Sequence, residues 1–271
     1  MSHDKLLLGK TTDYPQRYAP ETLFPIARSE GRAAVGIAGA LPFRGVDVWT
    51  HYEVSWLDAQ GKPRVAIAEI VVSADSPSLV ESKSMKLYFN SLNFERFDSA
   101  TAFLACVTRD LTAAAGAPVQ VTLLPHEAGD GTLVRLPGEC LDELPLACDA
   151  FEVDPGFLRA DPQRMVSETL HSHLLRSRCP VTHQPDWASV LVEYEGPALD
   201  RTGLLAYLVS YRNHADFHEQ CVERIFMDVM QRCAPLQLTV YARYTRRGGL
   251  DINPWRSTRE TLPYRLRLAR Q

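Results

Sequence analysis

The chain has no run of about 18 apolar residues, so no segment of it is expected to span a membrane. Its first residues, Met1-Ser2-His3-Asp4-Lys5, lack the basic-then-apolar layout of a secretion signal. None of the 6 cysteines (Cys106, Cys140, Cys148, Cys179, Cys221 and Cys233) belongs to a CxxC pair, and their spacing is not that of a disulfide framework. A reduced, cytoplasmic setting is therefore expected. Excess positive charge is also missing: a net charge of -4 gives no global basic field for nucleic acid. A Rossmann fingerprint is absent too. Gly129-Asp130-Gly131 is followed by Val134 where the third glycine should fall, and no strand–helix–strand unit surrounds it.

What is present is the material of a globular core. With 271 residues and 45% hydrophobic content, the chain suits one large domain or two ordinary ones. Strand-like runs at 46–57 and 64–73 flank Asp58-Ala59-Gln60-Gly61-Lys62-Pro63, a good hairpin connection. Residues 99–115 read as a helix, with Ala100, Phe103, Leu104, Val107 and Leu111 on one face. A further strand is expected at 118–124. Prolines and glycines then crowd the chain up to Pro162. The division expected is a first module at 1–125, a connector at 126–165 and a second module at 166–271.

The pattern restarts after the connector. Runs at 188–194 and 203–211 are strand-like, and 236–245 is a strand. Residues 217–233 are helical, burying Val222, Ile225, Phe226, Val229, Met230 and Cys233. Asn93-Phe94-Glu95-Arg96-Phe97 and Asn213-His214-Ala215-Asp216-Phe217 both set Asn and Phe four apart, each just before a helix. This suggests a duplicated strand–strand–helix unit and favours an antiparallel α+β fold over alternating strand and helix. The arginine-rich tail from Arg246 to Gln271 suits a phosphate-bearing ligand, or is simply solvated.

Three stretches carry candidate chemistry. Arg176-Ser177-Arg178-Cys179-Pro180 sets a thiol between two arginines, with His183 and Asp186 just downstream. Neighbouring cations favour the thiolate, which is the nucleophile, and Asp186 offers a proton-transfer group. A buried, unreactive cysteine in a turn fits the same letters. Glu81-Ser82-Lys83-Ser84-Met85-Lys86-Leu87-Tyr88 mixes a carboxylate, hydroxyls and ammonium groups that could bind a polar heterocycle and a phosphate; taken alone, an exposed edge strand is the better explanation. Asp216 and Glu219, three apart, resemble a capping box, while a carboxylate such as Glu219 can also accept both donors of a guanine-like edge. Cys179, His183, His214, His218 and Cys221 can also be read as zinc ligands, but no CxxC or HExxH spacing supports them.

Taken together, these residues resemble the QueF family, the nitrile reductases of queuosine biosynthesis. Glu81 to Tyr88 matches that family's signature at every position, and the stretches around Cys179 to Trp187, Phe217 to Phe226 and Arg246 to Ser257 look like its long, two-module branch. The resemblance implies tandem tunnelling folds (T-folds), with antiparallel sheets and helices on one face, assembled at least as a homodimer. It implies NADPH as cofactor and reduction of 7-cyano-7-deazaguanine to 7-aminomethyl-7-deazaguanine through a thioimidate on Cys179. Asp186 and His218 would handle protons. Val80, Glu81, Ser82, His218 and Glu219 would bind substrate, and Ser82, Lys83, Arg247 and Gly248 would meet NADPH. No direct nucleic-acid, membrane or metal partner is implied. The competing activities are a zinc-dependent T-fold hydrolase of the GTP cyclohydrolase type and a non-catalytic purine-binding module.

Overall fold

In the computed structural model, which describes residues 14–124, 133–260 and 266–271, Asp58 turns the first hairpin as expected. Its N–H donates to the Lys62 carbonyl at 2.9 Å, and Gly61 N–H returns to the Asp58 carbonyl. Gly61 has φ of 87°, the left-handed region that a glycine enters without strain. The chain divides into two units: 1–31, 47–132 and 246–252 form one, and 32–46, 133–245 and 253–271 the other. Gly129-Asp130-Gly131 and the residues before Tyr14 lie outside the described residues.

The elements in chain order are β1 (Pro25–Ala27), α1 (Arg28–Ala34), β2 (Arg44–Leu57), β3 (Pro63–Ser73), β4 (Ser78–Val80), α2 (Ser82–Ser91), α3 (Ala100–Ala115) and β5 (Val119–Leu124). They continue with β6 (Glu139–Cys140), β7 (Ala160–Arg178), β8 (Pro185–Leu199), α4 (Arg201–Val209), α5 (His218–Cys233), β9 (Gln237–Tyr244) and β10 (Leu250–Ser257). Every strand pairing with a resolved register is antiparallel except β6 with β7. The fold is α+β, as expected.

In the first unit the sheet order runs β5, β3, β2. Ala68, Ile70 and Val72 of β3 are buried at alternate positions, as one covered sheet face requires. Helix α3 covers them with Phe103, Val107, Leu111 and Ala115, each four apart. Ser99 caps α3 by accepting from Ala102 N–H, and Gly116 ends it at φ of 71°. Trp56 stacks on Phe103 with ring centroids 4.5 Å apart.

In the second unit β9, β8, β7 and β6 are neighbours in that order. Helix α5 buries Val222, Ile225, Phe226, Val229 and Cys233. Its Glu223 is also buried, and holds two arginines. Arg32 Nη2 donates to Oε1 at 2.8 Å, and Arg256 reaches the same oxygen through Nε and Nη2 at 3.0 and 2.9 Å. The solvated-tail reading of residues 246–271 is therefore wrong for its middle. All eight residues of β10 are buried, and Arg256 is a paired core cation.

Two other expectations are corrected. Residues 203–211 are not a strand: 201–209 form α4, capped by Asp200, which accepts from Thr202 N–H. Gly203 to Leu208 are all buried, so no polar face remained to mark the helical period. The signature Glu81 to Tyr88 is not an edge strand either, but a cap and the body of α2. The duplication is thus richer than strand–strand–helix, because each half places a further helix between its hairpin and its long helix. The linking stretches behave alike. Leu57, ending β2, bridges Arg96 in parallel, and Arg178, ending β7, bridges Ala215 in parallel. The position after each bridge opens a hairpin turn, and it holds Asp58 in the first unit and Cys179 in the second.

Candidate active site

Strands β7 and β8 form one long hairpin whose turn is Cys179 to Gln184. Cys179 N–H donates to the Gln184 carbonyl at 2.9 Å, and His183 N–H to the Cys179 carbonyl at 3.0 Å. His183 takes φ of 57°, in the left-handed region, which closes the turn at some steric cost. Cys179 is buried, and Thr182 N–H lies 3.5 Å from its sulfur. Ser177 and Asp186 are paired across the ladder, so their side chains share a face. Cys179 follows β7 directly and opens the turn, and Asp186 is the second residue of β8 on the far side of it.

Asp186 is buried, and His218 Nε2 lies 3.4 Å from its Oδ2. His218 begins α5, and its ring stacks flat on Tyr244, with centroids 3.7 Å apart and planes within 2°. Its Nδ1 is buried without a hydrogen-bond partner among the described residues. Burial raises the Cys221 and Tyr244 side chains well above their ordinary pKa values. Cys221 is therefore held as a neutral thiol and is unsuited to nucleophilic attack at neutral pH. Glu219 is buried at the same helix start. The capping expectation fails in detail: Gln220 Oε1, not Glu219, accepts from Phe217 N–H at 3.3 Å, because the helix begins at His218. The flanking arginines also turn elsewhere. Arg176 donates to the Arg212 carbonyl and Arg178 to Asn213 Oδ1.

The other expected residues gather in the first unit. Glu81, fully buried, caps α2: its two oxygens accept from Lys83 N–H and Ser84 N–H, each at 2.7 Å. Burial pushes its carboxyl above the usual range, opposed by those two N–H groups and by Lys86 and Lys83. Each carboxylate oxygen keeps further acceptor capacity. Val80 is buried; Ser82 and Lys83, in the first turn of α2, are half-buried. Arg247 N–H bonds the Leu250 carbonyl across a tight turn with Gly248 and Gly249 at φ of 61° and 75°. Successive positive φ values favour glycine, which adopts them without steric cost. A Cβ on Gly248 would sit 3.0 Å from Lys86 Nζ, and one on Gly249 would strike the Glu53 carboxylate. His51 Nδ1 lies 3.2 Å from the Gly249 carbonyl, and Arg246 stacks over Tyr52 at 4.3 Å. Lysine and arginine converging on an open glycine turn form a donor set that fits a cofactor's phosphates.

Known proteins decide the family. The description "Nitrile reductase, 7-cyano-7-deazaguanine-reductase N-term" (QueF_N) matches residues 14–123, and "QueF-like protein" (QueF) matches 185–262. The NADPH-dependent 7-cyano-7-deazaguanine reductase of Chromobacterium violaceum is 55% identical over 97% of this chain and 96% of its own length. That of Hydrogenovibrio crunogenus is 53% identical over 99% and 97%. This chain belongs to the QueF family. A solved structure, archaeosine synthase QueF-Like in the apo form, is 21% identical over 36% of this chain and 96% of its own, at a TM-score of 0.31.

The QueF matches include every expected site residue except Cys179, which falls between the two matched spans. Its case therefore rests on the hairpin geometry. Sequence reasoning missed Tyr244, which stacks on His218, and Lys86, which lies beside Gly248. Tyr244 ends a uniformly buried strand and carried no local signal. Lys86 stood within the signature, and its helical position beside the glycine turn appears only once α2 is formed. The zinc set that the sequence offers does not assemble as such. His183 is exposed on its turn, and His214 precedes the helix that would have aligned it with His218.

Proposed function

We propose that this chain reduces the nitrile 7-cyano-7-deazaguanine to 7-aminomethyl-7-deazaguanine with NADPH, in queuosine biosynthesis, and that Cys179 is its nucleophile. The observation that carries the mechanism is one hairpin that carries Cys179 at the start of its turn and Asp186 just beyond it, with His218 3.4 Å from Asp186. The Cys179 sulfur adds to the nitrile carbon and gives a thioimidate, whose C=N carbon accepts hydride more readily than the nitrile does. Asp186 takes the thiol proton and delivers it to the nitrile nitrogen. NADPH would supply one hydride per molecule, so two molecules bound in turn would provide the two hydrides that a nitrile needs to become an amine. After the first, the sulfur leaves and an imine remains, which burial of the site protects from hydrolysis.

His218, oriented by Asp186 and Tyr244, supplies a proton in the second half. Glu219 accepts the ring N–H and exocyclic amine of the deazaguanine, and Val80, Glu81 and Ser82 are further substrate-binding residues. Ser82, Lys83, Arg247 and Gly248 receive NADPH, with the glycine turn admitting phosphate and the cations neutralising it. The same reading carries tandem T-folds, a homodimer, a cytoplasmic setting and no direct nucleic-acid partner.

The test is incubation with the nitrile alone. Intact mass should rise by the whole substrate mass, because addition expels no leaving group. Cys179→Ala should abolish both the adduct and nitrile-dependent loss of NADPH absorbance, while Cys221→Ala keeps both. An adduct on Cys221, or an active Cys179→Ala protein, sinks the mechanism.

A further inference from the structure

Upstream of Cys179, on the outer side of the β7–β8 hairpin, three metal-binding side chains converge that the reaction does not use. Cys140 and His171 are Cα partners in the parallel β6–β7 pairing. Paired residues share a face, and residues two apart on a strand share it too, so His173 joins them. One ligand atom from each of the three lies within 4.8 Å of the others. We propose that Cys140, His171 and His173 form a zinc-type divalent metal site, distinct from the nucleophile and clamping β6 to β7.

The second line of support is the way the two imidazoles are held. His171 Nδ1 lies 3.0 Å from the Pro137 carbonyl. A carbonyl only accepts, so Nδ1 carries the proton and Nε2 keeps its lone pair. His173 Nδ1 is 2.7 Å from Ser189 Oγ, which again leaves Nε2 as the free nitrogen. Ligating histidines are typically oriented by such outer partners on the other ring nitrogen.

The segment bearing Cys140 is fixed as firmly. Asp142 accepts from Ser172 Oγ at 2.7 Å and from His173 N–H at 3.2 and 3.1 Å through its two oxygens. Leu141 N–H donates to the His171 carbonyl. Gly138, at φ of 80°, passes so close to β7 that a Cβ would lie 2.0 Å from the Thr169 carbonyl oxygen.

The metric fits. Tetrahedral zinc, with bonds of about 2.0–2.1 Å to nitrogen and about 2.3 Å to sulfur, sets its donors roughly 3.3–3.7 Å apart. The trio needs about an ångström of closure, and the exposed Cys140 side chain has room to supply it. A thiolate with two imidazoles selects zinc over hard cations such as magnesium. Three protein donors leave a fourth position to water on the solvent side. Binding releases the thiol proton and ties a two-residue edge strand to the strand that leads into Cys179.

The test uses the full chain, stripped with a chelator and titrated with Co²⁺ alone, then with Zn²⁺ in competition. One equivalent should bind, with tetrahedral visible bands and a thiolate charge-transfer band, and Zn²⁺ should displace it. Cys140→Ser should lose the charge-transfer band, and Ser189→Ala should weaken binding about 10–100-fold. Cys179→Ala should leave the spectrum unchanged. If Cys140→Ser fails to fold, His171→Gln is read by the same loss of tetrahedral bands. The proposal is overturned if no saturable equivalent binds, if the band survives in Cys140→Ser, or if it disappears in Cys179→Ala.

Discussion

Replacing Glu219 by Gln tests whether this buried carboxylate serves the ligand or the helix. Its neighbour Gln220 does the capping, so the two roles separate by one residue. A hydrogen bond to a charged acceptor contributes about 1.5–3 kcal/mol. Every 1.4 kcal/mol is about tenfold in affinity, so the loss of the Glu219 charge should weaken binding of the nitrile roughly 10–150-fold. Gln220→Ala removes one hydrogen bond to Phe217 N–H, which Asp216 Oδ1 also accepts at 3.0 Å. Its cost should stay below about 1 kcal/mol, or roughly 2–4 °C in Tm for a chain of this size. Both variants belong in a Cys179→Ala background, so that calorimetry reads non-covalent affinity alone. Denaturant unfolding of the same proteins reads stability. The reasoning fails if Glu219→Gln binds within about threefold of its parent, or if Gln220→Ala loses as much affinity as Glu219→Gln.

Asp186→Asn should keep the fold and slow adduct formation by about 10²–10⁴, the usual contribution of general acid–base catalysis; time-resolved intact mass checks it, and an unchanged rate refutes the role. Arg247→Ala should raise the KM for NADPH about 10–100-fold with nitrile affinity intact, and equal losses for both ligands would indicate a folding defect instead. Burial lowers the His51 imidazole from 6.5 to about 4, Lys86 adds to that shift and the Gly249 carbonyl opposes it. Above pH 6.5 the ring is neutral in both states and stability is at its full value. Between 6.5 and about 4 the unfolded chain takes up a proton that the fold refuses, so stability falls as pH falls, by about 3 kcal/mol at most. Denaturant curves across that range should show this slope, and His51→Leu should flatten it; an equal slope in both proteins would remove His51 as its source.

Much of the chemistry was legible in the letters because it sits in contiguous stretches. Glu81 to Tyr88 and Cys179 to Asp186 each carry their groups within one short segment, and alternation marked β3 as plainly as the four-residue spacing marked α3. Helix α4 was misread because burial on every side erases periodicity. The signature helix was misread because its charges resemble a wet edge until Glu81 is seen to cap it. The arginines of β10 looked like a solvated tail because Glu223, their partner, lies far away in sequence.

The amino-acid sequence alone determined the family, the antiparallel α+β class and the candidate nucleophile, since each is written in local motifs and periodicities. Only tertiary structure decided which groups meet. It set His218 between Asp186 and Tyr244, gave the capping bond to Gln220, placed Lys86 against the glycine turn and brought Cys140 beside His171 and His173. Those contacts join residues far apart in the chain, and their positions depend on strand register and helix start. A shift of one residue in either would turn each side chain to another face.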